Sequence, residues 1–372
     1  SVGRKRWEAA DDFPPSKTLS ETYFYEGSGS MPEKMMAAVF KGNGVLSVEK
    51  VDVPEIKNGD EVLLEVEACS ICGTDVHILE VPPAGFDVEP GTILGHEIVA
   101  RVVKTGNNVR YLKEGDRVVV EPNDYCCVCS YCLRGLTNHC DNQTSLGVTK
   151  NGGFAEYVIV TEKTAHRISN ELPSNIAVFA EPLACVVNGF QKINVIPGQS
   201  AHVIGAGPIG LIFVQMLKAA GVYPVIVSEP MQFRREYAKK CGADYVFNPL
   251  EEDAAGFVSS ITGKGADVVI EVVGSQLAEA VRTVRRGGKI LVFGFNTKAE
   301  PKIIQHHIVL KEIQLLGTWI ARSTFPAAVQ ILEKGTLDLE RLITHVLPLN
   351  RIHEGIELLA KGEGLEVIIT PK

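Results

Sequence analysis

The sequence predicts an α/β protein in two parts, a β-rich unit followed by a parallel sheet with crossover helices. In the first part, short apolar runs such as 62–67 and 117–120 are separated by closely spaced Gly and Pro, as in strands joined by turns. Beyond residue 184, strand-like and helix-length apolar segments alternate, which is typical of a parallel sheet. The length of 372 residues accommodates two domains of ordinary size.

The elements of the second part follow one another closely, and glycines at 221, 242 and 287–288 end the predicted helices. The last fifty residues, roughly, mix helix and strand signals, and we expect them to rejoin the first part. In chain order we predict a strand at 203–204, a helix at 209–220, a strand at 225–227, a helix at 233–241, a strand at 267–273, a helix at 277–286 and a strand at 289–293.

Composition and charge exclude several classes of protein. Hydrophobic residues make up 45% and charged residues 22% of the chain, which excludes wholesale disorder. The formal net charge of −8 disfavours a nucleic-acid-binding protein, which usually carries a basic face. No uninterrupted apolar run reaches the roughly 18 residues of a membrane span. We therefore expect neither nucleic acid nor membrane as a partner.

The cysteines and the amino-terminal residues indicate a cytoplasmic protein. Five of the nine cysteines fall between residues 126 and 140, which is unlike a secreted disulfide framework and fits metal-ligating thiolates in a reducing compartment. No apolar core of signal-peptide length follows the basic residues at 4–6. Residues 1–30 are polar and end in a Gly-Ser run, so we interpret them as a leader or extension outside the fold.

The segment 205–210 reads Gly-Ala-Gly-Pro-Ile-Gly and fits the G-x-G-x-x-G pattern of dinucleotide-binding folds. It follows a predicted strand and opens a predicted helix, so Gly205 would make the tight turn, Gly207 would admit a pyrophosphate and Gly210 would allow close helix–strand packing. Glu229 ends the next strand, where an acid accepts the ribose hydroxyls. The alternative, a Gly-rich turn that binds nothing, is disfavoured by this context.

The same region predicts NAD rather than NADP, because a 2′-phosphate would bring like charge against Glu229. An arginine near this position accommodates the phosphate in NADP enzymes. Arg234 and Arg235 follow closely, and we interpret both as solvent-facing or stacked on adenine. Phe293 and Phe295, at the end of a late strand, are expected to line the nicotinamide pocket. The predicted cofactor-binding residues are Gly205, Gly207, Pro208, Ile209, Gly210, Glu229, Arg234, Val273, Phe293 and Phe295.

Four cysteines predict a structural metal site. Cys126, Cys129, Cys132 and Cys140 have spacings that can close a tetrahedral thiolate site with no open position. Buried free thiols are the alternative reading, and a nucleic-acid-binding zinc module is disfavoured because acidic residues flank the segment. Cys127 is a spare thiol in this interpretation, or a substitute for Cys126.

A second set of residues predicts an open metal site. Cys72, His77, His96 and Glu97 lie on predicted loops and, together with Glu181, supply the thiolate, imidazole and carboxylate groups that bind zinc. Each of them alone has an ordinary structural explanation, and it is their co-occurrence that favours a ligand set. Such a set can leave one zinc position for water or substrate, as catalysis requires.

Taken together, these motifs make the sequence resemble the zinc-dependent medium-chain dehydrogenase/reductase family, in particular its polyol and threonine dehydrogenase branches. The resemblance implies a GroES-like catalytic domain at 31–186 and 321–372 and a Rossmann NAD-binding domain at 187–320. It also implies a homodimer or homotetramer. The motifs that carry the resemblance are Cys-Gly-Thr-Asp-x-His at 72–77, Gly-His-Glu at 95–97, the four-cysteine segment, Gly-Gly-Phe-Ala-Glu-Tyr at 152–157, Glu-Pro-Leu at 181–183 and the glycines at 205–210.

The resemblance also assigns roles to individual residues. Cys72 and His96 match ligands of the catalytic zinc, and Glu97 and Glu181 match carboxylates of which either can bind it directly. Glutamate at 181, where classical alcohol dehydrogenases have a cysteine, points to the polyol-like branch. Thr74 and His77 match a relay that carries a proton to solvent. The four-cysteine segment matches a structural zinc lobe, so two zinc ions per chain are expected.

The resulting hypothesis is oxidation of a secondary alcohol, a small polyol or sugar alcohol, to a ketone by NAD. Zinc would lower the pKa of the alcohol, Thr74 and His77 would carry the proton away, and hydride would pass to the nicotinamide. A threonine or butanediol dehydrogenase is the alternative within the family. A zinc- and nucleotide-binding protein without catalysis is a more distant one. Arg322 is a candidate contact for a polar or anionic substrate, with a surface salt bridge as its alternative role.

Overall fold

The computed structural model describes residues 31–81, 85 and 87–372. The predicted leader at 1–30 lies outside the described residues. The first part of the described chain consists mainly of strands. Its elements are β1 (Lys34–Gly42), β2 (Val45–Asp52), β3 (Glu61–Ser70), α1 (Gly73–Ile78), β4 (Glu97–Thr105), β5 (Arg117–Val120), β6 (Asn123–Asp124), β7 (Thr144–Ser145), β8 (Tyr157–Thr161) and β9 (Ala165–Arg167).

Helices and strands then alternate through the second part, as the sequence predicts. The elements are α2 (Ser174–Ala177), α3 (Ala180–Ile193), β10 (Ala201–Ile204), α4 (Pro208–Ala219), β11 (Val225–Ser228), α5 (Gln232–Lys240), β12 (Tyr245–Phe247), α6 (Ala254–Thr262), β13 (Ala266–Glu271), α7 (Leu277–Thr283), β14 (Val284–Val292), α8 (Gln305–Lys311) and β15 (Gln314–Gly317). The chain ends with α9 (Phe325–Lys334), β16 (Ile343–Pro348), α10 (Ile352–Ala360) and β17 (Glu366–Thr370).

The second part contains a parallel sheet in the order β12-β11-β10-β13-β14-β15. The order reverses direction at β10 and β13, and dinucleotides bind at such a switch point, outside the carboxyl ends of the strands. Strands β10 and β11 are buried along their whole length because helices cover both faces of the sheet. The predicted α/β class with a parallel sheet is therefore confirmed.

The first part contains a second sheet, which the end of the chain completes. Its order is β16-β17-β3-β4-β5-β9, and β8 also pairs with β3, at residues 61–65. Strand β17 runs antiparallel to β3, with Ile369 opposite Cys69. The last strand of the chain thus adds to the sheet that also supplies β4 and the loop before α1.

Helix α3 packs in the core that the two parts share. Phe179, just before it, and Leu183 are fully buried in one apolar cluster with side chains from both sheets and from α9. Within the described residues, the helical stretch Ser174–Ile193 has the length and mean hydropathy (1.2) of a membrane span, but 78% of it is buried inside the protein. Glu181 and Asn188 interrupt it, so it is not an uninterrupted apolar run.

One predicted boundary is wrong. The helix expected at 277–286 ends at Thr283, and β14 begins at Val284 instead of residue 289. Val284 pairs with Ala266, and the Arg285 guanidinium binds the Asp267 carboxylate at 2.6 Å, so long-range pairing draws these residues into the sheet. The glycine pair expected to stop the helix therefore lies inside a strand.

A buried histidine links two strands of the parallel sheet, β10 and β11, to helix α7. His202 in β10 is fully buried, and its ring nitrogens lie 3.1 Å from Thr283 Oγ1 and 3.0 Å from Ser228 Oγ. Burial lowers the pKa of His202 from 6.5 to about 3. The folded protein therefore holds this imidazole neutral under conditions in which the unfolded chain takes up a proton.

We expect His202 to make the protein less stable towards acid. Between about pH 6.5 and pH 3 the unfolded chain binds one more proton at this site, so the free energy of unfolding falls as pH drops, by roughly 1.4 kcal/mol per unit. His202→Gln keeps hydrogen-bonding groups but does not titrate, so its urea midpoint should depend less on pH between about pH 7 and pH 5. Exposed His353→Gln is the control. Equal pH dependence in wild type and His202→Gln would contradict the prediction.

Candidate active site and metal centres

The glycine segment forms a tight turn between β10 and α4. Gly205 has φ +103°, a conformation that favours glycine, and a Cβ on Gly210 would lie 2.2 Å from the Gly205 carbonyl oxygen. Gly207 precedes the first residue of α4, Pro208, and a Cβ there would meet no atom within 4 Å. Gly205 and Gly210 are thus required by packing, whereas the space above Gly207 is open. That is where a pyrophosphate would approach the helix N-terminus.

Glu229 joins this turn to the end of β11. Its side chain is buried, with Oε2 accepting the Ala206 N–H and Oε1 accepting the Met231 N–H, both at 2.9 Å. The Arg235 side chain is not directed only towards solvent. Its Nη1 donates a hydrogen bond to the Glu229 backbone carbonyl at 2.8 Å. Arg234 Nε is buried and has no hydrogen-bond partner in the described part of the chain. The acid is therefore held rigidly by backbone N–H groups beside the glycine turn.

The three apolar residues predicted for the cofactor pocket lie at the same edge of the sheet. Val273 follows β13 and its Cγ2 faces the turn at Gly205, whereas Phe293 and Phe295 follow β14. Phe293 packs edge-on against Phe213 of α4, with ring centroids 5.2 Å apart. The structure thus places all of the predicted cofactor residues around the carboxyl ends of neighbouring strands.

Cys72, His96 and Glu97 form a compact set whose donor atoms all lie within 4.8 Å of one another. Cys72 caps the N-terminus of α1, and Glu97 is the first residue of β4. Strand pairing places Ser70 of β3 opposite Glu97, and the Ser70 hydroxyl donates a short hydrogen bond to its carboxylate. The β3–β4 register therefore brings together residues from two separate motifs.

Asp75 connects these two motifs, and the sequence analysis did not single it out. It is fully buried, and its carboxylate accepts the Cys72 N–H at 2.9 Å and the Gly95 N–H at 3.3 Å. Its Oδ1 lies 3.8 Å from His96 Nδ1. An acid three residues after a helix cap is a known local signal, because its side chain reaches back to the cap N–H.

The charge of this cluster fits a bound cation. Burial raises the pKa of the Cys72 thiol well above its ordinary value, and the Glu97 and Asp75 carboxylates raise it further. Burial, followed by the Glu366 carboxylate, raises the pKa of Glu97. His96 Nδ1 is buried without a hydrogen-bond partner among the described residues. Buried anionic groups must be neutralised by protons or by a cation, and thiolate, imidazole and carboxylate are zinc ligands.

Glu181 lies in the first turn of α3, close to but outside this compact set. It is buried, and its Oε1 accepts a hydrogen bond from Cys185 Sγ at 3.3 Å. Burial raises the pKa of Glu181, and the charge of His96 lowers it, so the two side chains are neighbours. Among the described residues, the group with donor atoms within 4.8 Å contains Glu97 and not Glu181. The geometry therefore favours Glu97 over Glu181 as the carboxylate nearer to Cys72 and His96.

Glu366 is a second residue that sequence reasoning missed. It begins β17, is 3% exposed and has one carboxylate oxygen without a hydrogen-bond partner in the described residues. Burial raises its pKa to about 7, although the neighbouring Ser70 side chain acts in the opposite direction. No local motif marks this residue, because the β17–β3 pairing brings it to the cluster from the far end of the chain.

The predicted relay residues lie on one short helix. Thr74 and His77 are three residues apart in α1, which puts them on the same face. His77 Nδ1 lies 2.9 Å from Glu80 Oε1, and Glu80 Oε2 lies 2.9 Å from Lys298 Nζ. No local sequence motif marks Glu80 or Lys298 as part of this site.

The loop after β15 contacts α3 and the aromatic ring of Phe295. Asn188 of α3 donates to the backbone carbonyls of Trp319 and Ile320 at 3.2 and 2.6 Å, and Ile320 has φ +38°. The Trp319 ring lies 5.3 Å from the ring of Phe295. Arg322, the candidate substrate contact, is half-buried in this loop.

The four predicted lobe cysteines also form a compact group. Donor atoms of Cys126, Cys129, Cys132 and Cys140 all lie within 4.8 Å of one another. Backbone N–H groups point at the sulfurs, and those of Val128 and Cys129 contribute to lowering the Cys126 pKa to about 6. Thiolates arranged in this way fit a tetrahedral metal ion. Cys127 is exposed and lies outside the group, so the geometry favours Cys126 as the ligand.

Comparisons with known proteins agree with this architecture. Family models for an alcohol dehydrogenase GroES-like domain and a zinc-binding dehydrogenase match residues 58–170 and 208–334. An L-threonine 3-dehydrogenase of Thermococcus kodakarensis is 36% identical, covering 92% of this chain and 99% of the relative. A sorbitol dehydrogenase of Bacillus subtilis is 33% identical over the same shares. A solved chain from Sinorhizobium meliloti 1021, described as a zinc-binding dehydrogenase bound to NADP, has a TM-score of 0.85 and 32% identity, covering 91% of this chain and 100% of that one.

We expect substitutions at two glycines to separate folding from dinucleotide binding. Gly210→Ala places a methyl group against backbone and should cost about 1–3 kcal/mol of unfolding free energy. Gly207→Ala meets open space and should leave the urea midpoint nearly unchanged. It should nevertheless weaken dinucleotide binding at least about tenfold, because the methyl group occupies the approach of the pyrophosphate. Denaturation and fluorescence titration with NADH measure the two effects. Wild-type affinity in Gly207→Ala would contradict the assignment.

Proposed function

Because this chain belongs to the zinc-dependent medium-chain dehydrogenase/reductase family, we propose that it oxidises a small polyol or sugar alcohol to a ketone with NAD as hydride acceptor. The observation that carries this proposal is the compact set of Cys72, His96 and Glu97. These three residues provide zinc ligands, and the glycine turn of the other sheet provides a dinucleotide site. Together they supply what hydride transfer from an alcohol requires.

Cys72, His96 and Glu97 would hold the catalytic zinc, with Glu181 close enough to replace Glu97 or to act through water. A zinc ion bound there supplies Lewis-acid chemistry that makes the substrate hydroxyl more acidic. Asp75 orients the set by holding the Cys72 and Gly95 backbones. This division between ligands and a fixed supporting acid is common in metal sites.

Thr74 and His77 would carry the substrate proton towards solvent. The support is their shared face on α1, directly after Cys72, and the partial exposure of His77, whose side chain is 42% accessible. In the proposed relay, the Thr74 hydroxyl would pass the proton on to the His77 imidazole. The buried site is thereby connected to bulk water.

The second zinc would be structural and held by the four lobe cysteines. The segment around them contains short 3₁₀ turns at Cys132–Arg134 and Thr137–His139 rather than long helices. Four thiolates leave no open position for a substrate. We infer a stoichiometry of two zinc ions per chain.

NAD is the proposed cofactor because Glu229 is buried and fixed where the adenosine ribose would lie. A 2′-phosphate would meet a carboxylate that cannot move away without breaking two backbone hydrogen bonds. The Sinorhizobium meliloti chain bound to NADP provides the opposing possibility. NADP would be accommodated through Arg234, whose buried Nε has no hydrogen-bond partner among the described residues.

A threonine dehydrogenase is the second candidate, since the Thermococcus kodakarensis relative is somewhat more similar than the sorbitol dehydrogenase. Threonine carries a carboxylate, so its binding would need a cation at the substrate site. Arg322 is the candidate for that cation. Butanediol, in contrast, would need no charged partner. The role of Arg322 therefore distinguishes these substrates.

We also propose a cytoplasmic homodimer, or a tetramer built from two such dimers. All nine cysteines are free thiols, in keeping with a reducing compartment. Strand β15 is an edge of the parallel sheet, and beside it Val309, Leu310 and Leu315 are exposed. Pairing of β15 with its copy across a two-fold axis would cover this edge. Sedimentation velocity measures the oligomeric state directly.

The proposed function is tested by following reduction of NAD and of NADP with a panel of polyols, L-threonine and butanediol. We expect polyols to be oxidised, with kcat/KM at least about tenfold higher for NAD than for NADP, equivalent to about 1.4 kcal/mol. Arg322→Met should leave polyol oxidation nearly unchanged. Preference for L-threonine together with loss in Arg322→Met would establish the second candidate. Equal or better efficiency with NADP would show that Arg234 or Arg235 overrides Glu229.

We expect Cys72→Ala to lower turnover at least about a hundredfold, because the Lewis acid contributes several kcal/mol to the reaction. Zinc content should fall from two ions to one per chain, while NADH still binds, since the glycine turn lies on the other sheet. Cys127→Ser, at a thiol outside both groups, is the matched control and should keep both ions. Near-normal turnover of Cys72→Ala with one zinc lost would disprove the catalytic-metal assignment.

A further inference from the structure

A hydrogen-bonded bridge just beyond the end of α1 joins the two parts of the chain. The Glu80 carboxylate uses one oxygen for His77 Nδ1 and the other for Lys298 Nζ, each at 2.9 Å. Lys298 belongs to the loop after β14, in the second part of the chain. One carboxylate thus contacts the relay side and the cofactor side of the proposed site at once.

A second contact at the same place brings the two segments close together. A Cβ on Gly85 would lie 2.6 Å from Thr297 Cγ2 and 3.3 Å from the Phe295 ring. Gly85 has φ +86°, so its backbone also favours glycine. The approach of the two parts here therefore does not rest on the ion pair alone.

The chemistry of the pair determines which His77 nitrogen carries the proton. A carboxylate facing Nδ1 can only accept, so Nδ1 must be the protonated nitrogen of the neutral ring. Nε2 is then left with a free lone pair to take a proton. Hydrogen bonds from His77 and then from Lys298 lower the pKa of Glu80, so it remains a charged acceptor.

We propose that Glu80 is a positioning residue that fixes the tautomer of His77, and that Lys298 holds Glu80 in place from the cofactor side. This inference rests on the proposed function, in which His77 ends the proton relay. Among the described residues, the charged groups that contact Glu80 are His77 of α1 and Lys298 of the opposite loop. The position of the loop that carries Lys298 and the tautomer of His77 are thereby coupled through the Glu80 side chain.

The test combines nitrogen NMR of protein labelled with ¹⁵N-histidine with steady-state kinetics of the zinc-loaded enzyme. Resonances of His77 are assigned from their loss in His77→Asn. In the wild type we expect a proton on Nδ1 of the neutral ring. Glu80→Leu should lose this fixed tautomer, and its kcat should fall about tenfold with little change in KM, a fraction of the full effect of a general base. Glu80→Gln has one acceptor oxygen in place of two, so with that oxygen on Lys298 its amide N–H faces Nδ1 and the proton should move to Nε2.

Lys298→Met should lower kcat less than Glu80→Leu, because Glu80 can still reach His77 without its anchor. Lys302→Met, in the same loop, and Glu354→Leu, at an exposed i,i+3 ion pair on α10, are matched controls and should behave as wild type. An unchanged tautomer in Glu80→Leu would overturn the inference. So would wild-type kcat in Glu80→Leu when His77→Asn is impaired.

The NMR measurement does not depend on turnover, so failure of the proposed function is seen separately. If the wild type oxidises none of the alcohols, or His77→Asn is fully active, the proposed relay is wrong, whatever the His77 tautomer. If alcohol oxidation and the His77 effect are both present and the tautomer does not respond to Glu80, the relay stands and the positioning role fails.

Discussion

The burial of one helix, α3, determines how the two sheets and the candidate site are arranged. Its apolar side chains belong to a single core cluster that includes residues of both sheets and of α9. Burial of α3 also fixes its two polar side chains. Glu181 lies near His96, and Asn188 binds the backbone of the loop at Trp319. Removing apolar surface from water at roughly 25 cal/mol per Å² makes such a helix costly to displace. The relative position of the metal and cofactor sides is therefore a property of the core.

Charge imposes the second constraint, at the end of β3. Glu97, Glu366 and Asp75 are buried close to one another, and the burial of each carboxylate raises its pKa. A cluster of this kind has too much negative charge for an apolar interior unless protons or a cation compensate it. Zinc at Cys72 and His96 would supply two positive charges. The acids beyond the direct ligands then decide how tightly the metal is held and which of them keeps a proton.

Local patterns predicted those parts of the site that local backbone geometry builds. The glycine turn at 205–210 and the four-cysteine segment are short, and their spacing alone carries the chemistry. Glu97 and Glu181 could not be ranked from sequence, because the choice depends on the β3–β4 register and on the packing of α3. Glu366 and Lys298 reach the site only through pairing between distant segments. The end of α7 was misplaced for the same reason, since the Val284–Ala266 pairing overrides a local glycine signal.

Two connections join the two parts of the fold, the core around α3 and the Glu80–Lys298 ion pair, and they differ in strength. The core around α3 is apolar and extensive, whereas Glu80 and Lys298 are 39% and 60% exposed. An exposed ion pair contributes about 1 kcal/mol or less and is screened by salt. The core therefore keeps the architecture, while the Glu80–Lys298 ion pair can open without disturbing either sheet. In the proposed role, a contact this weak would let Lys298 adjust the position of Glu80 without being needed for the fold.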